Sequence, residues 1–163
     1  MSILKSAKIF SVDYYYTTIA DRPGQGCQFL KMLAAGEVNL LAFNAFPVSS
    51  DRTQLVIYPL NATWLGEMAR RQGLTLHGPH HAFLVQGDDE LGALVTIHDK
   101  LCDADINVAS STGLTDGRGR YRYILHVQPE EYDRALKVLG VDQGIQRWAD
   151  FQLKHHRRFK ARA

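Results

Sequence analysis

Hydrophobic and polar residues follow each other along the chain in one recurring order of strand-like and helix-like segments. Residues 12–19 are rich in β-branched and aromatic side chains, which is typical of a strand. Phe29, Leu30 and Leu33 then place apolar side chains on one face of a helix. Two more strands, a second helix and a short last strand are predicted at residues 38–46, 53–60, 64–69 and 74–76. The order strand, helix, strand, strand, helix, strand is the ferredoxin-like arrangement, in which two helices cover one face of an antiparallel sheet.

The same order occurs a second time at a constant offset of 68 residues. Identical residues recur at this offset without a gap: Asp21 and Asp89, Gly24 and Gly92, Leu33 and Leu101, Asn39 and Asn107, and Arg52 and Arg120. A single offset held over this distance indicates two copies of one supersecondary unit. We therefore predict an α+β protein with two tandem ferredoxin-like units related by pseudo-twofold symmetry, at residues 1–78 and 79–141, followed by a basic C-terminal helix and tail at 142–163.

Cap residues predict where the helices begin. Asp21 is expected to cap the first helix and Asn61 the second, because short polar side chains accept from the free backbone N–H groups of a first turn. Asp88 or Asp89 is expected to cap the third helix, and Pro129 suits the first turn of the fourth. The apolar face predicted for the third helix comprises Leu91, Leu94, Ile97 and Leu101.

The turn Asp21-Arg22-Pro23-Gly24, the apolar helix after it and the strand start at Asn39 resemble an ACT domain, a small-ligand regulatory module of many enzymes of amino-acid metabolism. The second copy matches at Asp89, Gly92 and Asn107 but lacks the proline. The resemblance covers roughly residues 8–141, and no segment resembles a fused catalytic domain. It implies a free-standing, non-catalytic regulator that binds a small molecule, most simply a free amino acid, and acts on a protein partner.

The resemblance places the ligand at the turn between the first strand and the first helix. A helix N-terminus suits a carboxylate, Asp21 could accept from an α-ammonium, and Asn39 is expected beside them as a polar partner. The alternatives stay open: the aspartate is only a helix cap, the glycine serves the turn, and the asparagine closes a turn with its own backbone. Binding is expected in the first copy and stays open for the second. The candidate ligand-binding residues are Asp21, Arg22, Pro23, Gly24, Gln25, Gly26, Asn39, Asp89, Gly92 and Asn107.

Charge separates the C-terminal tail from the rest of the 163-residue chain. The net charge is +2, and the last ten residues contain five basic and no acidic side chains, so the preceding residues sum to −3. We therefore do not expect the body to bind nucleic acid. The favoured interpretation is that the tail covers a sheet edge left by a missing last strand of the second copy. The alternative is that the tail is an electrostatic handle for nucleic acid, an anionic membrane or an acidic partner. The protein would then be a structural or nucleic-acid-associated adaptor, with vestigial ligand sites, that acts through this basic tail.

No sequence motif indicates catalysis, a cofactor or a metal. The chain has no nucleophile elbow, phosphate-binding loop or zinc-protease motif. His77, His80 and His81 are interpreted as part of a solvated linker, and Cys27 and Cys102 as buried thiols. The N-terminus has no apolar signal segment and no apolar run is long enough to span a bilayer, so we expect a cytoplasmic protein. Joinable sheet edges predict a homodimer or higher oligomer, with pairing of the two copies within one chain as the alternative.

Overall fold

The computed structural model describes residues 7–141, which form six β-strands and four α-helices. The strands are β1 (Lys8–Ala20), β2 (Leu40–Pro47), β3 (Arg52–Pro59), β4 (His77–Asp88), β5 (Val108–Thr115) and β6 (Arg120–Val127). The helices are α1 (Gln25–Ala35), α2 (Ala62–Arg71), α3 (Val95–Asp103) and α4 (Tyr132–Leu139), with a 3-10 turn at Pro129–Glu131 before α4. The predicted α+β class is confirmed, whereas the helix predicted for 142–163 lies outside the described residues.

The polypeptide divides into two compact units that do not follow chain order. The first unit is Asp13–His80, and the second combines residues up to Val12 with those from His81 onward. The strands β1 and β4 therefore each contribute residues to both units. Residues 7–12 were predicted in the first unit, and the structure groups them with the second.

In the first unit the strands lie in the order β2, β3, β1 and β4, of which β4 contributes only its first residues. Both β2 and β1 pair antiparallel with β3. Alternate residues of β1 and β3 face the helices, and Tyr15 pairs with Ile57 at the centre of this face. The buried residues of this core are Tyr15, Phe29, Leu33, Leu55, Ile57, Leu65 and Met68.

In the second unit the order is β5, β6, β4 and β1, and the first residues of β1 take the place of the fourth strand. Ile9 packs against the core of this unit, and the Ser11 hydroxyl shares a hydrogen bond with the Tyr132 hydroxyl of α4. The start of β1 thus occupies the sheet edge beside β4 that the C-terminal tail was predicted to cover. Sheet pairing between distant segments has no local signal, and the β-branched pattern at 12–19 marked only the later part of β1.

The 68-residue repeat is visible in the backbone itself. Gly24 and Gly92 both have positive φ, at 90° and 78°, and both lie in the turn that follows a strand and precedes a helix. A register irregularity occurs between Leu40 and Ala42 in β2, and another between Val108 and Ser110 in β5. Both glycines thus lie in strand-to-helix turns, as the offset predicts, although Gly24 is itself the N-cap of α1 whereas the N-cap of α3 is Leu94.

Three local predictions are wrong. His77–Pro79 lie within β4 rather than in a linker, and residues 74–76 are not a strand, although Leu74 and Leu76 pack against the core. Cys27 and Cys102 are exposed rather than buried. The strand β4 extends back to His77, and Cys27 and Cys102 lie two and one positions from the buried Phe29 and Leu101, which turns them away from the core-facing side of α1 and α3.

Candidate ligand-binding turns

The first candidate site is the turn between β1 and α1. The Asp21 backbone N–H donates to the Asp51 carbonyl at 2.8 Å, which fixes the end of β1 beside the start of β3. Asp21, Arg22, Pro23 and Gly24 are exposed, and Gln25 and Gly26 are half-buried. Gly24 adopts φ 90°, a left-handed conformation that side chains other than glycine's rarely take. The space around the Gly24 and Gly26 α-carbons is open, since an added methyl would meet nothing within 4 Å.

The N-terminus of α1 lacks a side-chain cap. The N-cap residue is Gly24 rather than Asp21, no side chain accepts from the first turn, and that turn has no acidic residue. Helix α2 offers the contrast, because Asn61 Oδ1 accepts from the Trp64 backbone N–H at 2.9 Å. The prediction for Asn61 is confirmed and that for Asp21 is wrong. The Gln25 N–H donates to the Arg22 carbonyl at 3.2 Å, and the remaining N–H groups of the first turn, at the positive end of the helix dipole, have no side-chain acceptor.

The failure of Asp21 to cap α1 leaves its carboxylate available. Two residues separate Asp21 from the N-cap glycine, and the side chain is exposed with no ion pair among residues 7–141. The turn therefore presents the Asp21 carboxylate as an acceptor and, three to six residues later, the N–H groups of the first turn of α1 that have no side-chain partner as donors. This is the complement of the two charged groups of an α-amino acid.

Asn39 does not lie beside Asp21 within the first unit. Its carbonyl accepts from the Leu60 backbone N–H at 2.8 Å, which places it next to the residue after β3, whereas Asp21 is bonded to the residue before β3. The length of β3 separates them, which is about 25–30 Å at ~3.3 Å per residue. The expectation that the fold brings the two side by side is wrong, because β2 begins at the end of the sheet opposite to where β1 ends.

The second candidate turn repeats the first with differences. The Asp89 backbone N–H donates to the Gly119 carbonyl at 2.8 Å, and Gly92 has φ 78°. Helix α3 begins only at Val95, with Leu94 as an N-cap that has no side-chain bond, so neither Asp88 nor Asp89 caps it. Leu91 is fully exposed and does not contribute to the apolar face predicted for it. Asn107 again precedes the edge strand at the opposite end, since Val108 pairs with Val127.

Two polar arrangements were not recognised from the sequence. On β1 and β4 of the first unit, the Tyr16 ring stacks on His77 and His80, with ring centroids 4.9 Å and 5.4 Å apart. In the second unit, His98 of α3 shares a hydrogen bond of 2.7 Å with the Tyr123 hydroxyl of β6. The repeat carried a signal for the second pair. The residues 68 positions earlier, Leu30 and Leu55, are both apolar, so a polar side chain at both His98 and Tyr123 departs from the repeated pattern.

The described part of the chain contains neither a candidate metal site nor a candidate membrane-spanning helix. Within residues 7–141, no group of three or more His, Cys, Asp and Glu side chains is arranged to hold a metal ion. None of the helices in the same range has the length and apolar character required to span a bilayer.

Comparisons with known proteins identify the fold. No protein-family model and no curated protein sequence matches the chain. Among solved structures, protein BT0572 from Bacteroides thetaiotaomicron is similar with a TM-score of 0.69 and 12% identity, over 82% of this chain and 88% of that one. The ligand-free regulatory subunit of aspartate kinase from Thermus thermophilus is similar with a TM-score of 0.57 and 12% identity, over 84% and 96% of the two chains.

A third similar structure is that of the aspartokinase alpha and beta subunits, with a TM-score of 0.54 and 14% identity, over 83% of this chain and 95% of that one. At these identities the likeness concerns the arrangement of strands and helices and not the residues of a site. The chain therefore has the ACT-like α+β fold that is found in the regulatory subunits of aspartate kinase.

Proposed function

We propose that this protein is a non-catalytic regulator, a free-standing tandem ACT-type protein that binds a free amino acid at the turn 21–26 and acts on a protein partner. The observation that carries the proposal is the uncapped N-terminus of α1 beside the uncommitted Asp21 carboxylate. The similar structures named as regulatory subunits of aspartate kinase support a regulatory role. One of them is described as a ligand-free form, which is consistent with a fold that takes a ligand.

The two charged groups of an amino acid match the two halves of this turn. The carboxylate accepts from the N–H groups of the first turn of α1, where the helix dipole also favours a negative charge. The ammonium donates to the Asp21 carboxylate. The missing Cβ of Gly24 and Gly26 leaves room for the ligand to approach the backbone closely.

The proposed site differs from the sequence-based one in its polar partners. Asn39 is left out, because the length of β3 separates it from Asp21 in the same unit. The second turn, with Asp89 and Gly92, also has its glycine at positive φ, so we expect a second site of the same kind there. We expect it to bind more weakly, since α3 begins later and the valine at its start lies 3.7 Å from where a Gly92 side chain would be.

The edge strand β5 favours self-association of the protein. In the second unit β5 lies at the edge of the strand order, its residues after Val108 are all exposed, and it contains no charged residue and no proline. Unpaired edges of this kind are normally protected by charges or prolines. A homodimer in which two such edges pair is therefore the expected assembly.

Calorimetric titration of the full chain with each of the twenty amino acids tests the proposal. We expect at least one to bind, and Asp21→Ala to weaken that binding about tenfold or more, because a hydrogen bond to a charged group contributes ~1.5–3 kcal/mol. Asn39→Ala is the matched control: both residues are exposed and polar, but Asn39 lies at the other end of β3. Since Asp21 caps no helix, its substitution should leave the melting temperature nearly unchanged.

Two results would contradict the proposal. No heat with any amino acid at millimolar concentration would remove the ligand class. Equal binding by the wild type, Asp21→Ala and Asn39→Ala would show that the ligand binds elsewhere on the chain.

A further inference from the structure

The second unit differs from the first in the layer between its helices and its edge strand. The cross-strand partners of Ser111 and Gly113 are Leu125 and Tyr123, both buried in the helix-covered core. Directly opposed residues share a face of a sheet, so Ser111 and Gly113 face the same side as α3. Both are nevertheless exposed, because no side chain of the described residues covers them.

The repeat shows what the second unit has lost at this place. At the 68-residue offset, Ser111 corresponds to Phe43, which packs against the core of the first unit. Tyr123 corresponds to the fully buried Leu55, and His98 to Leu30, which is itself exposed. Three apolar side chains of the first unit are thus replaced by a hydroxyl, an imidazole and a phenol. We call the space between α3 and β5 that these residues border, with Gly113 as its floor, the polar slot.

The hydrogen bond across the polar slot leaves a donor unused. His98 Nε2 and the Tyr123 hydroxyl share one hydrogen at 2.7 Å. If the phenol donates, the neutral imidazole carries its other hydrogen on Nδ1, which has no partner among residues 7–141. If Nε2 donates, the phenol hydrogen is free instead. Either tautomer therefore presents one N–H or O–H donor, and the exposed Ser111 hydroxyl presents a second.

The surroundings of the polar slot favour an acceptor as its ligand. The strand β5 has no charged residue, and the Tyr123 ring is buried, so its hydroxyl is held in position. Gly113 lets the ring lie close over β5, since a Cβ there would be 3.3 Å from Tyr123 Cδ2. No acidic side chain on β5 would repel an anion here. The two donors therefore match the two oxygens of a ligand carboxylate.

We propose that the polar slot binds the carboxylate of a small molecule, through the Ser111 hydroxyl and the donor left by the His98–Tyr123 pair. This site is distinct from the turn 21–26 and does not depend on the function proposed for that turn. The first unit has no counterpart, because Phe43, Leu30 and Leu55 occupy the equivalent positions. The polar slot is therefore a feature of the second unit alone, in addition to the glycine turn that both units have.

NMR titration of the full chain tests this site, with acetate as the minimal carboxylate and glycine as the free amino acid. We expect acetate to shift the His98 ring and Ser111 amide signals saturably, and methylammonium to leave them unchanged. If free glycine binds as tightly as acetate, the ligand of the polar slot is a free amino acid. If only acetate binds, the ligand is a carboxylate without an amino group. No saturable shift with either would overturn the proposal.

Variants separate the site from a structural role of the pair. Tyr123→Phe keeps the ring and its packing, and Ser111→Ala removes only a hydroxyl from an exposed position. Ser111→Ala should weaken acetate binding about tenfold or more, the loss typical of one hydrogen bond to a charged group. Tyr123→Phe removes either the donor itself or the bond that fixes the His98 tautomer, so it should weaken acetate binding as well. Thr112→Ala is the matched control, since Thr112 is exposed on the other face of β5, opposite Ile124. Equal effects of all three would refute the assignment, whereas Asp21→Ala should leave acetate binding here unchanged.

Discussion

The ends of the four helices allow a prediction of stability with internal controls. All four have the double hydrogen bond of a Schellman motif; in α1 the Val38 N–H donates to the Leu33 carbonyl and the Glu37 N–H to that of Ala34. The residue in the left-handed conformation is glycine after α2 and α4, at Gly73 and Gly140. After α1 and α3 it is an acid, Glu37 with φ 55° and Asp105 with φ 53°.

We expect Glu37→Gly and Asp105→Gly each to stabilise the fold by about 1 kcal/mol. A left-handed conformation costs an L-residue roughly 1–2 kcal/mol, and an acid at a helix C-terminus costs about 0.3–1 kcal/mol against the dipole. Part of this gain is offset because glycine loses more backbone entropy on folding than other residues, which costs about 0.5–1 kcal/mol. Both acids are exposed, so no buried contact is lost. The bond from Arg134 Nη2 to the Asp105 carbonyl oxygen involves only the backbone of that residue.

Urea unfolding followed by circular dichroism measures these changes as shifts of the midpoint at constant slope. Gly73→Ala and Gly140→Ala are the reverse controls, since a Cβ at either position meets nothing within 4 Å and only the backbone conformation opposes it. We expect both controls to lower the midpoint. Loss of stability in Glu37→Gly and Asp105→Gly would refute the reasoning, because it would show that these acids make contacts more favourable than the strain they carry.

Two further predictions concern assembly and pH. We expect light scattering to show a dimer and Thr112→Lys, which places a charge on the edge strand β5, to convert it to a monomer; a monomeric wild type at high concentration would contradict this. Burial lowers the pKa of His126 below its usual value of 6.5, with the Ser110 bond as a smaller opposing effect. The unfolded chain therefore takes up the proton first, so the contribution of His126 to stability is fully present above about pH 6.5 and is lost as the pH drops below it. His126→Gln should flatten this fall in urea midpoints measured across the acidic range, and an unchanged fall would assign it to other groups.

Local patterns in the sequence were sufficient for the features that repeat. The gapless 68-residue offset identified both glycine turns. Apolar spacing identified Phe29, Leu33, Ile97 and Leu101 as buried helix positions, whereas Leu30 and Leu91, predicted on the same faces, are exposed. The cap at Asn61 was predictable because it needs only a backbone N–H three residues away, that of Trp64. Each of these depends on contacts within a few residues, or on a unit that occurs twice.

Other features were decided only when distant segments met. The start of β1 completes the second unit, and no pattern in residues 7–12 indicates a partner more than seventy residues away. Asn39 and Asp21 look like parts of one motif in the sequence, but strand direction places them at opposite ends of β3. His98 and Tyr123 bond only because α3 packs over β6. Strand pairing and helix packing are non-local, so the sequence by itself determined the repeated elements, and the tertiary structure decided which side chains share a site.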